Sequence, residues 1–76
     1  MTRQTLDRAL RAFRGRRPFQ PFVIEFFSGD RVTITHVEAV TFNGDALIYL
    51  SPQSQYRIFE SGSVCQLLDV APPADG

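Results

Sequence analysis

The sequence predicts a mainly β domain with one N-terminal helix, and three observations carry that prediction. Hydrophobic side chains in residues 1–15 recur every three to four positions, which is typical of an amphipathic helix. From residue 18 onward the period falls to two, and turn signals separate short β-rich runs. The chain has 76 residues, enough for one small domain. Five or six short antiparallel strands cannot stay flat, so we expect a small, strongly bent barrel that forms a single domain with the helix over residues 1–70, and a loose C-terminal tail over 71–76.

The helix prediction rests on the first 15 residues. Their apolar stripe comprises Leu6, Ala9, Leu10 and Phe13. Thr2 or Thr5 can cap the helix by accepting a backbone N–H bond. We expect the helix to end at Gly15 in the left-handed conformation, because Pro18 cannot continue it. Since an isolated helix of this length is marginal in water, the stripe is expected to dock on the strands.

Turn signals divide the remaining residues into strands. Ser28-Gly29-Asp30 and Asn43-Gly44 are typical of tight hairpins, and Asn43-Gly44 is the stronger signal. Residues 51–54 predict a loop, and Ser61-Gly62 predicts the last turn. The predicted strands are residues 22–27, 31–36, 39–42, 46–50, 56–59 and 64–70.

Alternation along these strands predicts which side chains face the interior. The predicted core comprises Ile24, Phe26, Val32, Ile34, Ile48, Leu50, Ile58 and Leu68. A small barrel needs one apolar face per strand, but the fourth and last strands are apolar on both faces. The surplus face and an open strand edge predict self-association. The candidate association residues are Leu47, Tyr49, Cys65 and Leu67.

Charge is unevenly distributed although the formal net charge is zero. Residues 1–17 carry six arginines and Asp7, a balance of +5, whereas residues 18–76 have a balance of −5. The basic segment can dock on the chain's own acidic residues, on an acidic neighbour or on phosphate. Along the helix, Asp7 is expected to pair with Arg3 or Arg11. The candidate nucleic-acid contacts are Arg3, Arg8, Arg11, Arg14, Arg16 and Arg17.

Candidate catalytic and metal-binding groups are few. Cys65 with His36 lacks a third orienting residue, and a cysteine in an apolar strand is typically a small buried hydrophobe. His36 with Glu38 supplies two of the three or four ligands that a metal site needs. The sequence also lacks phosphate-binding glycine loops and dinucleotide fingerprints. We therefore expect no enzyme activity, no cofactor and no metal.

Two phenylalanines stand out in Arg16-Arg17-Pro18-Phe19-Gln20-Pro21-Phe22, where prolines are expected to hold the chain extended. Phe19 and Phe22 either plug the end of the barrel beneath the helix or belong to a polyproline-type ligand for an aromatic groove. The first interpretation is favoured because the segment runs directly into a core strand.

Residues 17–24, 28–31 and 36–38 resemble the motifs of a family of small uncharacterised bacterial proteins. The shared pattern is Arg-Pro-Phe-x-Pro-Phe-x-Ile, an Asp-Gly-Arg turn and His-Pro-Glu, and the resemblance covers most of residues 16–70. Here the turn reads Gly-Asp-Arg, and Val37 stands in place of the proline. The resemblance implies no activity.

In topology the chain also resembles the Sm-like fold, with a helix before five strongly bent strands. Residues 31–43 would form the long bent second strand, and residues 56–60 and 64–70 would close the barrel. The glycine that bends the second Sm strand is missing, and residues 59–63 lack the RNA-pocket signature. The resemblance therefore implies the topology and edge-strand or ring assembly, without RNA-binding residues.

These observations favour a non-enzymatic protein-interaction or assembly module, with a homo-oligomer or another protein as partner. The alternative is an Sm-like RNA-binding protein that uses the arginine-rich helix. A neutral net charge and an acidic barrel stand against it. We expect a cytoplasmic location, because the sequence shows neither a secretory signal nor a membrane-spanning run and its single cysteine forms no disulfide within the chain.

Overall fold

The computed structural model describes residues 1–70 and shows one helix followed by six antiparallel strands. The elements are α1 (Arg3–Arg14), β1 (Phe22–Phe26), β2 (Arg31–Ile34), β3 (Val40–Asn43), β4 (Ala46–Leu50), β5 (Tyr56–Glu60) and β6 (Val64–Asp69). The mainly β prediction with one N-terminal helix is confirmed. The expected loose tail, residues 71–76, lies outside the described residues.

Helix α1 begins and ends where its capping residues predict. The Thr2 hydroxyl accepts a hydrogen bond from the Thr5 backbone N–H at 3.1 Å. At the other end the Gly15 N–H donates to the Arg11 carbonyl at 2.9 Å. Gly15 has a φ of −85°, so the expected left-handed stop is wrong. The continuing N–H bond lets Gly15 close the last turn in right-handed geometry, and the chain leaves the helix after it.

The strands form two three-stranded antiparallel sheets. In the first sheet β1 lies between β2 and β6, and in the second sheet β4 lies between β3 and β5. Short 3-10 helices connect the sheets, at Val37–Ala39 before β3 and at Ser61–Ser63 before β6. Within residues 1–70 no strand ladder joins the two sheets into a closed barrel. Strands β2, β6, β3 and β5 are consequently the edges of their sheets.

Two glycines give the hairpins their tight turns. Gly29, with a φ of 95°, donates its N–H to the Phe26 carbonyl at 2.9 Å between β1 and β2. Gly44, with a φ of 65°, allows β3 to turn into β4 with Asn43 opposite Ala46. Both φ values lie in the left-handed region that other residues adopt only at a cost.

One hydrophobic core joins α1 to both sheets. It comprises Leu6, Leu10, Phe22, Ile24, Phe26, Val32, Ile34, Val40, Leu47, Tyr49 and Val64. Leu6 and Leu10 are 0% and 2% exposed, so the apolar stripe of α1 docks on the strands as expected. The rings of Phe26 in β1 and Phe59 in β5 approach to 4.2 Å, a direct contact between the two sheets.

The aromatic cluster beneath α1 agrees with the interpretation of Phe19 and Phe22 as a hydrophobic plug. Phe22 is fully buried, and its ring centroid lies 5.0 Å from that of Phe13 and 6.2 Å from that of Phe19. The peptide bond between Arg17 and Pro18 in this segment is cis. The cluster therefore fastens the end of α1 to the start of β1.

The predicted core is confirmed in the first two strands and wrong in the later ones. Ile24, Phe26, Val32 and Ile34 are buried as expected. Leu50 and Ile58, however, are 37% and 68% exposed, and Ile48 and Leu68 are only half-buried. The inward positions of β4 are instead Leu47 and Tyr49, which are 0% and 7% exposed.

The pairing of β3 with β4 explains this inversion. Val40 lies opposite Tyr49 and Phe42 lies opposite Leu47, and directly opposed residues in antiparallel strands share one face. Because Thr41 and Asn43 take the solvent side of β3, the apolar residues Val40 and Phe42 face inward. Leu47 and Tyr49 therefore lie in the core, and Ile48, which lies opposite Thr41, faces outward.

Candidate association surface

The outer face of the second sheet carries an apolar patch built from two cross-strand pairs. Ile48 of β4 lies opposite Ile58 of β5, and Leu50 lies opposite Tyr56. Tyr56 is 72% exposed, Ile58 68% and Leu50 37%. We call these four residues the outer patch. Side chains of this size seldom gather on a solvent-facing sheet unless another surface covers them.

The outer patch lies beside an open strand edge. Strand β5 pairs with β4 on one side and has no partner strand on the other within residues 1–70. The Ser51 N–H donates to the Gln55 carbonyl at 2.8 Å before β5, and the Ser61 N–H donates to the Asp45 carbonyl at 3.3 Å after it. These bonds fix the alternation of the ladder, so the odd-numbered residues of β5 bond to β4.

The even-numbered residues of β5 therefore present their backbone groups to the open edge. They are Tyr56, Ile58 and Glu60. Tyr56 and Ile58 also carry the most exposed side chains of the outer patch. Apolar side chains and backbone groups without a strand partner in the described chain thus occur on the same residues, a combination that natural edge strands usually avoid.

Two of the four candidate association residues do not lie on the surface. Leu47 and Tyr49 are buried in the core, so their expected surface position is wrong. Leu67 is half-buried against the core opposite Ile24, and Cys65 is half-buried beside the irregularity in the pairing of β1 with β6. Sequence reasoning missed Ile48, Leu50, Tyr56 and Ile58, whose signal was the pairing imposed by the Asn43-Gly44 turn.

The edge of β6 differs from the edge of β5. Arg16 forms an ion pair with Asp69 at the end of β6, and it donates to the Gln20 carbonyl at 3.0 Å. The same guanidinium lies 4.7 Å from the centre of the Phe13 ring. The segment after α1 is thereby fastened to the last residue of β6.

Three of the six candidate nucleic-acid contacts bind the chain's own acceptors. Arg3 donates to the Gly44 carbonyl at 2.6 Å and lies 3.7 Å from the Asp45 carboxylate. Arg11 pairs with Asp7 at 3.1 Å, which confirms one of the two expected partners. Arg16 binds the Asp69 carboxylate and the Gln20 carbonyl. Within residues 1–70, Arg8, Arg14 and Arg17 form no ion pair, and Arg8 and Arg17 are exposed.

The candidate catalytic groups are not brought together. Cys65 lies near the Phe26 end of β1, whereas His36 follows Ile34, which pairs with Phe22 at the other end. The two ends of this five-residue strand are about 13 Å apart. Among the described residues no three acidic, histidine or cysteine side chains gather as a metal site. His36 and Glu38 instead line an open cleft of about 450 Å³ with Tyr49 and Ser51.

One carboxylate is strongly held on the outer face of the first sheet. The Gln66 amide donates to Glu25 at 2.5 Å, and the Arg31 guanidinium pairs with Glu25 at 2.9 Å. These two hydrogen bonds favour the ionised form and hold the pKa of Glu25 below its ordinary value of 4.5. The three residues lie on β1, β2 and β6, so the cluster ties the three strands together.

Comparison with protein-family models, with curated proteins and with solved structures finds no match to this chain. Within residues 1–70 no helix has the length and apolar character required to cross a membrane.

Proposed function

We propose that this chain is a non-enzymatic assembly module that associates with copies of itself through the outer patch and the β5 edge. The observation that carries the proposal is the exposure of Tyr56 and Ile58, 72% and 68%, on a strand whose edge has no partner strand in the described chain. Covering the exposed part of each side chain contributes on the order of 1–2 kcal/mol. Pairing of the strand edge adds hydrogen bonds that water alone satisfies in the monomer.

Light scattering after size exclusion tests the proposal at several protein concentrations. We expect a mass above 8.6 kDa at micromolar concentration. Ile58→Glu should lower that mass to the monomer value, because it places a charge in the centre of the buried surface. Thr33→Glu is the matched control, since it introduces the same charge at an exposed position of β2. A wild-type protein that remains monomeric throughout the series contradicts the proposal.

A second candidate function, RNA binding, rests on the three arginines of residues 1–17 that have no ion-pair partner within the described chain. Arg8 and Arg17 are exposed, and with Arg14 they supply positive charge next to an acidic remainder of the chain, which has a balance of −5 over residues 18–76. Phosphate contacts make affinity fall steeply with salt. Arg8→Glu with Arg17→Glu should then abolish RNA binding, whereas Ile58→Glu should not. Unchanged RNA affinity in the double variant rejects this candidate.

The finer architecture that accompanies the proposal is a small, strongly bent barrel of the Sm-like kind in a cytoplasmic protein. The short 3-10 connections, Val37–Ala39 and Ser61–Ser63, support a barrel because each joins the end of a strand in one sheet directly to the start of a strand in the other. The contact between Phe26 and Phe59 across the sheets supports the same arrangement. A free Cys65 is in keeping with a reducing compartment.

A further inference from the structure

We propose that the association is a two-fold dimer in which β5 pairs antiparallel with β5 of a second copy, centred on Ile58. This inference rests on the proposed function and names its partner surface and register. The starting point is the alternation of the β4–β5 ladder, which leaves the backbone groups of Tyr56, Ile58 and Glu60 directed at the open edge.

An Ile58-centred pair uses all of these groups. Two copies related by a two-fold axis place Ile58 opposite itself and Tyr56 opposite Glu60 of the second copy. Each opposed pair exchanges two backbone hydrogen bonds, so the edge groups of all three residues find partners. Ile58 is the middle residue of the strand Tyr56–Glu60, and only this centre pairs all five residues.

Neighbouring centres are less favourable. A centre on Arg57 sets two guanidinium groups opposite each other, and directly opposed like charges are destabilising. A centre on Phe59 sets Arg57 opposite Ser61, which belongs to the 3-10 helix Ser61–Ser63 rather than to a strand. A two-fold axis that falls between two residues would set each inward-facing residue opposite an outward-facing residue of the second copy, and would join the inner face of one sheet to the outer face of the other.

The resulting surface is self-complementary. The outer patches of the two copies join across the axis, with Ile58 against Ile58 and Ile48 behind each. On the inner face Arg57 lies opposite Phe59 of the second copy. Its guanidinium already lies 5.0 Å from the ring of its own Phe59, so an aromatic neighbour suits it.

A head-to-tail arrangement, in which β5 pairs with β6 of the next copy, is disfavoured by the state of β6. Asp69 is engaged by Arg16, which also anchors the segment after α1 through the Gln20 carbonyl. Leu67 packs against the core and offers little apolar surface for a partner. Within residues 1–70 the strand edge with the most exposed apolar side chains is therefore that of β5, and two β5 edges satisfy each other.

Disulfide trapping tests the register in the full chain with Cys65→Ser as background. Opposed residues of an antiparallel pair have Cα atoms about 5.5 Å apart, a separation that a disulfide spans. Ile58→Cys should form a covalent dimer of about twice 8.6 kDa under mild oxidation. Thr33→Cys, exposed on β2, measures the rate of random collision and should crosslink at least tenfold more slowly.

Mixing two cysteine variants tests whether Tyr56 of one copy lies opposite Glu60 of the other. Tyr56→Cys and Glu60→Cys should each crosslink poorly alone and crosslink with each other when mixed. Oligomers larger than a dimer, or an oligomer whose Ile58→Cys variant crosslinks no faster than Thr33→Cys, overturn this inference and leave self-association standing. A wild-type chain that is monomeric by light scattering and an Ile58→Cys variant that does not crosslink overturn both.

Discussion

Replacing Leu47 by alanine should destabilise the protein far more than replacing Ile58 by alanine. Leu47 is fully buried between β3 and β5, whereas Ile58 is 68% exposed on the outer patch. Truncating a fully buried leucine costs about 2–5 kcal/mol because it removes apolar contacts and leaves a cavity. Truncating a largely exposed isoleucine costs less than about 1 kcal/mol.

The size of the Leu47 effect matters for a domain this small. At about 0.05–0.15 kcal/mol per residue, a chain of 76 residues has a free energy of unfolding of about 4–11 kcal/mol. Leu47→Ala therefore removes a third or more of that free energy over most of this range. Alternation in the sequence predicts the opposite ranking, with Ile58 in the core and Leu47 on the surface.

Urea unfolding followed by circular dichroism measures both variants. The measurements belong at a protein concentration below that of association, because a dimer interface would add its own stabilisation. Leu47→Ala should lower the midpoint at an unchanged slope, and Ile58→Ala should leave it nearly unchanged. Equal losses, or a larger loss for Ile58→Ala, would refute the inward position of Leu47 and with it the outer patch.

Three further predictions concern the turn, the helix and the charged cluster. Gly44→Ala should cost about 1–2 kcal/mol by urea unfolding, since Gly44 has a φ of 65°, while Gly62→Ala, at a site with open space for a Cβ, should cost much less. Leu10→Ala should cost about 2–5 kcal/mol, because Leu10 is 2% exposed beneath α1, and a melting temperature unchanged by it would contradict the docking of the helix. Glu25→Gln should destabilise the protein at pH 7 and lose this effect in acid. Since the pKa of Glu25 lies below 4.5 in the folded chain, its contribution is complete above the ordinary pKa and disappears as pH falls through the lowered one. A gap between the melting temperatures of wild type and Glu25→Gln that does not narrow from pH 7 to acid would contradict this assignment.

Local signals were sufficient for the bounds of the helix, for the hairpin turns and for the inner face of strands β1 and β2. Thr2, Gly15 and Pro18 bound α1 by capping and by a missing donor, which are properties of the residues themselves. In β2 the apolar residues alternate clearly with polar ones, since Val32 lies between Arg31 and Thr33 and Ile34 follows Thr33. One face is then unmistakably the inner one.

Strand β4 offered no such contrast. Its sequence, Ala46-Leu47-Ile48-Tyr49-Leu50, is apolar at every position, so periodicity alone cannot distinguish its two faces. The deciding information lies in its neighbour β3, where Thr41 and Asn43 are polar and the Asn43-Gly44 turn fixes which residues oppose each other. The pairing of β4 with β5 then fixes the faces of β5, because Ile58 lies opposite the outward-facing Ile48. Periodicity within a single strand therefore misplaces this surface, and the hairpin pairing of β3, β4 and β5 places it correctly.

The ion pairs of the arginines are of two kinds, one that the local spacing predicts and one that depends on the tertiary fold. The Asp7–Arg11 pair is local, four residues apart along α1, and the spacing predicts it. The pairs of Arg3 with Asp45 and of Arg16 with Asp69 join residues 42 and 53 positions apart. They depend on where the helix docks, which no local pattern contains. Part of the positive charge of residues 1–17 is therefore neutralised by carboxylates of the chain itself.

This division of the arginines gives the two candidate functions opposite responses to salt. The proposed dimer joins apolar side chains and backbone groups of Tyr56 and Ile58, so its affinity should change little between 50 and 500 mM salt, or strengthen slightly. RNA binding through Arg8, Arg14 and Arg17 neutralises about three phosphates of a single strand and releases about two counterions, so its affinity should fall roughly a hundredfold over the same tenfold range. Light scattering and an RNA titration across that series measure both responses on one preparation. Dissociation of the oligomer at high salt would show that charge rather than the outer patch holds the copies together.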